Sequence, residues 1–277
     1  MIEMLTQPFA YPFMRDAFLI AAIIAVPAAL LSCFLVLKGW SLMGDAISHA
    51  VLPGVVLAYI LGLPLIIGAF VAGMICALAA GFLQENSRVK QDTVLGVVMS
   101  GMFALGMVLY VAISSGVHLD HVLFGNIFGV DAAQMINTAI ISVIVSAGIV
   151  INWRDLTLHS FDPVQARVAG LPVRWLHYGL LSAISLTVVA MLSAVGIIMA
   201  VGLLIAPGAI AFLLTRRMQT MMIVASAVSL FSCLAGVWIS FWLDSAPAPT
   251  IILVLTAIFI AAFTWRQLQT RRMAQAG

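Results

Sequence analysis

Long uncharged stretches alternate with short polar connectors along nearly the whole chain. The first stretch, residues 17–37, holds about 20 uncharged residues, enough for one helix to cross a hydrocarbon core of about 30 Å. The connectors between the apolar stretches are residues 38–39, 62–64, 84–92, 115–130, 152–175, 194–196, 216–217 and 244–249. The pattern predicts an all-α integral membrane protein with nine transmembrane helices, or eight if the first stretch lies at the membrane interface.

The composition supports one membrane domain and excludes an ordinary soluble one. Hydrophobic residues make up 64% of the chain and charged residues 8%, whereas soluble domains carry about 25% charged residues. The short connectors leave no room for a second folded unit, so we expect residues 1–277 to form a single transmembrane domain. Residues 1–13 contain no basic segment, which predicts an uncleaved first helix. The net charge of +2 gives no support for a nucleic-acid partner.

Basic residues mark one side of the predicted helix bundle. Every lysine and arginine except Arg15 lies in a connector after an odd-numbered helix or in the C-terminal tail. These residues are Lys38, Arg88, Lys90, Arg154, Arg167, Arg174, Arg216, Arg217, Arg266, Arg271 and Arg272. By the positive-inside rule these segments are cytoplasmic, so we expect the N-terminus outside and the C-terminus inside.

Several helix boundaries carry specific signals. Asp92 is a predicted N-cap for the fourth helix, and Asp131 with Gln134 three residues later resembles a capping box for the fifth. Pro207 interrupts a later helix and frees a backbone carbonyl, so we expect that helix in the protein interior. Residues 115–130 either re-enter the membrane as a short helix at a pore mouth or form a surface loop.

The connector 152–175 contains helix signals of its own. Asp162 is a predicted N-cap, Pro163 fits the first helical position, and Gly170 is a stop signal. They predict a short cytoplasmic helix at about residues 162–170. In a chain without another soluble part, such a helix suggests a docking element for a separate protein. An amphipathic helix that rests on the membrane is the alternative, because Val164 and Val168 suit either surface.

Asp45 and His49 lie four residues apart, on one face of the predicted second helix. Counted from Gly39 at 1.5 Å per residue, they lie roughly 9 Å and roughly 15 Å into the membrane. A charged side chain in hydrocarbon costs roughly 2.5–3.5 kcal/mol, so it normally faces a partner, a cavity or a pathway. A carboxylate with an imidazole suits a divalent first-row metal ion, although two ligands are too few for a closed site. A hydrogen-bonded pair that joins two helices is the alternative.

Motifs for catalysis are missing from the sequence. No GxxxxGKS/T segment occurs, so we expect no nucleotide to bind this chain, and an ATP-driven role requires a partner subunit. Neither HExxH nor GxSxG occurs, which leaves an intramembrane hydrolase without support.

Several segments together resemble a known family over nearly the whole chain. They are residues 41–54, with Asp45 and His49, residues 92–96, residues 123–125 and residues 203–207. These segments resemble the membrane permease of the bacterial manganese, zinc and iron ABC importers, of the ABC-3 type. Residues 38–54 are most similar to the manganese and iron branch.

The resemblance implies roles for individual residues. Asp45 and His49 would coordinate the transported metal in the pore. Asp162, Ala166 and Gly170 would belong to a cytoplasmic coupling helix that docks in the ATPase, and residues 121–128 would form the outer gate.

The resemblance also implies a transport subunit and not an enzyme, with manganese or iron as cargo and no bound cofactor. The expected partners are cytoplasmic ATPase subunits, a second permease subunit, an extracytoplasmic metal-binding protein and the lipid of the bacterial inner membrane. A zinc importer of the same family is an alternative, because zinc and manganese members share the acid and histidine spacing. An ion-gradient-driven secondary transporter with an Asp–His relay is the alternative from another class, and it would work without ATP.

Overall fold

The computed structural model describes residues 7–113 and 127–276, which are almost entirely helical. Two short 3-10 helices, Gln7–Ala10 and Ile127–Gly129, accompany the α-helices. In chain order the α-helices are α1 Pro12–Lys38, α2 Met43–Ala50, α3 Leu52–Ile60, α4 Leu65–Asn86, α5 Gln91–Ile113, α6 Ala132–Ile151, α7 Trp153–Phe161, α8 Pro163–Val168, α9 Val173–Val195, α10 Ile197–Leu214, α11 Met218–Leu243 and α12 Pro247–Ala276. The all-α prediction is confirmed.

In the described part of the chain, 9 helical segments are long and apolar enough to cross a membrane. Helices α2 and α3 together make one of these segments, from Met43 to Ile60, and the short helices α7 and α8 are not among them. The sequence predicted nine or eight transmembrane helices, and the described residues support nine. Helix α1 is a full-length span of 27 residues and is mostly buried.

Most predicted boundaries agree with the structure to within a few residues. Helix α6 has the predicted limits, and Gly196, with φ of 83°, separates α9 from α10 where the sequence predicted a break. Glycine adopts such a backbone conformation without the steric cost of a Cβ. The polar connector after α6 contains one helix that the sequence did not predict, α7.

Two of the predicted boundary signals were wrong in detail. Helix α5 begins at Gln91, so Asp92 lies in the first turn instead of at the N-cap, where its charge still complements the helix dipole. Asp131 does cap α6 and accepts a hydrogen bond from the Ala132 amide. The capping box does not form, because Gln134 donates to the Ser193 carbonyl of α9 instead. Residues 114–126, which include most of the predicted gate, lie outside the described residues.

Helix α1 runs through the core and packs against α6, α10 and α11. Pro207 lacks the amide that would continue the hydrogen-bond ladder of α10. A serine hydroxyl of α1 forms hydrogen bonds with backbone groups on either side of this proline. Ser32 Oγ accepts from the Gly208 amide at 2.8 Å and donates to the Ile205 carbonyl at 3.1 Å. A Cβ at Gly208 would lie 2.5 Å from the Ser32 backbone. The Pro207 helix is therefore interior, as predicted.

The sidedness of the bundle can be tested with single cysteines. With the basic connectors in the cytoplasm, Arg217→Cys should react only with thiol reagents that enter the cytoplasm, and Ser245→Cys should react with impermeant reagents from outside. The wild-type chain is the control, because Cys33, Cys76 and Cys233 are all buried. Labelling with the opposite sidedness would contradict the orientation.

Candidate metal site and cytoplasmic docking helix

Helix α2 presents Asp45 and His49 on one face. His49 Nε2 lies 3.5 Å from Asp45 Oδ1, and each side chain is 34% exposed in the single chain. The opposite face of α2 is buried and includes Ile47 and Ala50. The sequence analysis predicted that both side chains project from one face of the helix, and this geometry agrees with that prediction.

The start of α2 is fixed by its connection to α1. Gly39 has a left-handed φ of 69°, and the amide of Trp40 donates to the Leu35 carbonyl at 2.8 Å, which ends α1 in a Schellman-type turn. Gly44 lets α2 approach α10, because a Cβ there would lie 2.8 Å from Leu204 Cδ1. The side chain of Asp45 therefore projects from a helix that is held closely against the core.

The position of His49 follows from a break in the helix and from an aromatic neighbour. Its ring contacts Phe103 of α5 edge-on, with ring centroids 5.7 Å apart. Helix α3 starts at Leu52 with Pro53 in its first turn, and proline has no amide to offer the carbonyl of His49 four residues earlier. The imidazole thus lies next to an interruption in the backbone ladder, the type of feature found at ion sites inside membranes.

The separation of the two polar atoms fits one shared ion. Two ligands at about 2.1 Å from a first-row metal, with a near-tetrahedral angle between them, lie about 3.4 Å apart. The distance of 3.5 Å is close to this value and longer than a normal N–H···O hydrogen bond. Among the described side chains, no group of three or more His, Cys, Asp or Glu is close enough to hold a metal. The described part of one chain therefore supplies an incomplete ligand set.

The predicted short helix is present as α8. Asp162 Oδ1 accepts from the amides of Val164 and Gln165, both at 2.9 Å, so its role as N-cap is confirmed. Gly170 has a φ of 79° and ends the segment, as predicted from its stop signal. Ala166 is fully buried and packs the helix against the rest of the chain.

The exposed surface of α8 carries two apolar side chains beside the polar Gln165 and Arg167. Val164 is 72% and Val168 84% exposed, and Phe161 just before the N-cap is also exposed. The resemblance assigned Ala166 to the docking helix together with Asp162 and Gly170; in the structure Ala166 lies on the buried side of this helix and its valine neighbours are exposed. The sequence analysis considered Val164 and Val168 for a protein or a membrane surface, and their spacing of four residues places both on one helical face.

Comparison with known proteins identifies the family. The model of the ABC 3 transport family matches residues 10–266. The chain belongs to the ABC-3 transport family. The resemblance drawn from the sequence motifs is thus confirmed, and the chain is a multi-pass membrane permease subunit of an ABC transporter.

Individual relatives of this ABC-3 permease cover nearly its full length. The chelated iron transport system membrane protein YfeD of Yersinia pestis is 50% identical over 277 residues, which are 99% of this chain and 93% of the relative. The manganese transport system membrane protein MntB of Synechocystis is 42% identical over 258 residues, or 93% of this chain and 84% of the relative. The solved structure of PsaBC from Streptococcus pneumoniae in complex with Fab is 35% identical, with a TM-score of 0.84 and 95% coverage of both chains.

Proposed function

We propose that this ABC-3 permease imports divalent first-row metal ions, manganese or iron, across the bacterial inner membrane, with Asp45 and His49 as metal ligands in the pore. The observation that carries the proposal is the 3.5 Å separation of their polar atoms on a half-exposed helical face. The transport systems named for the relatives add support, since they are iron and manganese systems. The ion is cargo, so no bond in the substrate is made or broken.

A second permease subunit would complete the site. Asp45 and His49 are each 34% exposed on the surface of the single chain, at a depth where a charge facing lipid is costly. If two copies or related chains meet at this face, each contributes one carboxylate and one imidazole. Four ligands then surround one ion, which fits a transition-metal site better than two. This face would also be the wall of the pore.

Helix α8 would transmit the energy of ATP hydrolysis from a separate ATPase. Its exposed Val164 and Val168 offer an apolar ridge that fits a groove on a partner, while the buried Ala166 ties the helix to the membrane domain. Helix α8 packs against α7 and α9, so a movement of the ATPase would reach the membrane domain through these contacts. On the outer side, an extracytoplasmic metal-binding protein would deliver the ion to the pore.

ATP dependence separates this function from an ion-gradient-driven carrier with an Asp–His relay. The permease is reconstituted with its ATPase in vesicles, and radiolabelled manganese uptake is measured with internal or external ATP and with an uncoupler. We expect uptake to require hydrolysable ATP on the ATPase side and to persist when the proton gradient is removed. Uptake by the permease alone, driven by a gradient and insensitive to ATP, would support the secondary carrier instead. Competition by unlabelled zinc in the same assay compares how strongly the importer prefers manganese over zinc.

A further inference from the structure

A polar cavity of about 680 Å³ lies at the cytoplasmic end of the bundle, between the end of α1, helices α7 and α8, and the start of α9. Lys38, Arg167 and Arg174 line it, and no aspartate or glutamate is found among its described lining residues. Three cationic side chains without a carboxylate give the cavity a positive potential that attracts anions. Arg167 belongs to α8, but Lys38 and Arg174 lie outside both α8 and the metal site.

Lys38 is held at the cavity wall by two contacts. Its Nζ lies 3.1 Å from Nε2 of His159 and 4.4 Å from the ring centroid of Trp40. Among the side chains that the structure describes, no carboxylate forms an ion pair with Nζ. The ammonium group is therefore fixed in place, and none of the described carboxylates neutralises its charge.

His159 provides a second and independent sign of a missing acceptor. The residue is 2% exposed, and its Nδ1, which is itself buried, has no hydrogen-bond partner among the described residues. Burial, with the charges of Lys38 and His177, lowers the pKa of His159 to about 4, so the ring is neutral at physiological pH. Because Lys38 can only donate, Nε2 accepts and Nδ1 carries the proton. Buried donors are normally satisfied, whereas this N–H is an unsatisfied donor within the part of the chain that the structure describes.

The surroundings place the cavity at the level of lipid headgroups. Trp175 is 80% exposed and Tyr178, at the cavity wall, is also exposed, as is typical of aromatic residues at a membrane interface. A second cavity of about 480 Å³, lined mainly by apolar side chains of α6 and α9, includes Trp175 and Leu176. A lipid at this place would thus find a cationic site for its headgroup and an apolar groove at acyl-chain depth nearby.

We propose that the cavity between α1, α7, α8 and α9 binds the phosphate group of an anionic membrane lipid. Guanidinium and ammonium groups at the cytoplasmic end of transmembrane helices are the chemistry that recognises such headgroups. A carboxylate of the ATPase is the competing occupant. Arg167 belongs to α8, but Lys38 is the last residue of the transmembrane helix α1 and Trp40 follows it, so most of this site belongs to the membrane domain. The site would fix the position of α8 relative to the bilayer.

The test measures binding of dihexanoyl phosphatidylglycerol, a short-chain lipid used below its micelle concentration, to the full-length permease in detergent by calorimetry. Dihexanoyl phosphatidylcholine and inorganic phosphate are titrated in parallel. Arg174→Gln is the test variant, because this exposed side chain can change without disturbing the core. Arg174→Lys keeps the charge, and Arg217→Gln removes a cytoplasmic arginine that does not line the cavity.

We expect phosphatidylglycerol to bind the wild-type chain and Arg217→Gln equally, and Arg174→Gln to bind it about tenfold more weakly. Arg174→Lys should recover part of this loss, and phosphatidylcholine should not bind. Binding of inorganic phosphate with the same sensitivity to Arg174→Gln would retain the phosphate site and identify its source as a free anion. Equal lipid affinity in Arg174→Gln and Arg217→Gln would overturn the proposal. So would unchanged lipid affinity in Arg174→Gln combined with loss of ATPase co-purification, because the cavity would then serve the ATPase.

Discussion

Asp45→Asn is expected to reduce metal uptake by more than about tenfold while the assembled importer is still made. The amide keeps the shape of the side chain and part of its hydrogen bonding, but it removes the negative charge that favours a divalent cation. His49→Ala should have a comparable effect, because it removes the other ligand. The measurement is initial radiolabelled manganese uptake in cells or vesicles, divided by the amount of assembled complex.

Asp244→Asn is the matched control for Asp45→Asn. Asp244 is exposed and has a φ of 49°, a conformation that asparagine tolerates well, so this change removes a carboxylate without strain. Its uptake should equal that of the wild type. Wild-type uptake from Asp45→Asn and His49→Ala would end the metal-ligand proposal. Loss of the whole complex in both variants would indicate that the pair holds two helices together.

Gly170→Val is expected to uncouple the permease from its ATPase. A Cβ at Gly170 meets no atom within 4 Å, so the effect comes from its φ of 79° alone. A residue with a Cβ pays roughly 1–2 kcal/mol in this conformation, and a β-branched one pays more. The segment after α8 should therefore shift, and ATPase co-purification and ATP-dependent uptake should both fall. Both are measured on the same detergent-solubilised preparation.

Gly170→Asn tests whether the effect of Gly170→Val comes from backbone strain or from the loss of glycine itself. Asparagine enters the left-handed region more easily than valine, so this variant should retain most of the ATPase binding. Gly179→Val is a second control, because a Cβ there also meets no atom within 4 Å and its φ is not positive. Normal co-purification and uptake in Gly170→Val would argue that α8 only rests on the membrane.

The sequence predicted the features that depend on neighbours along the chain. Transmembrane helices, the Asp162 cap and the Gly170 stop depend on local hydrogen bonds and backbone conformation, and all are present. The pairing of Asp45 and His49 on one face follows from helical spacing alone, which is why their proximity was predictable.

The sequence analysis did not predict features that depend on contacts between residues far apart along the chain. Gln134 was expected to cap its own helix, but the carbonyl of Ser193 in α9 provides a tertiary partner. The buried side of α8 is set by packing of Ala166, which spacing does not predict. The cationic cavity joins Lys38 to His159, residues that are 121 positions apart, so no local pattern reveals it.

The central claim is that Asp45 and His49 hold the ion between two permease subunits. The most direct measurement is anomalous X-ray diffraction from the assembled importer with Mn²⁺, recorded on both sides of the manganese absorption edge. The account predicts one anomalous peak about 2.2 Å from Asp45 Oδ1 and His49 Nε2 of each subunit. A manganese peak elsewhere in the pore, with this pair free of metal in a transport-competent complex, would contradict it.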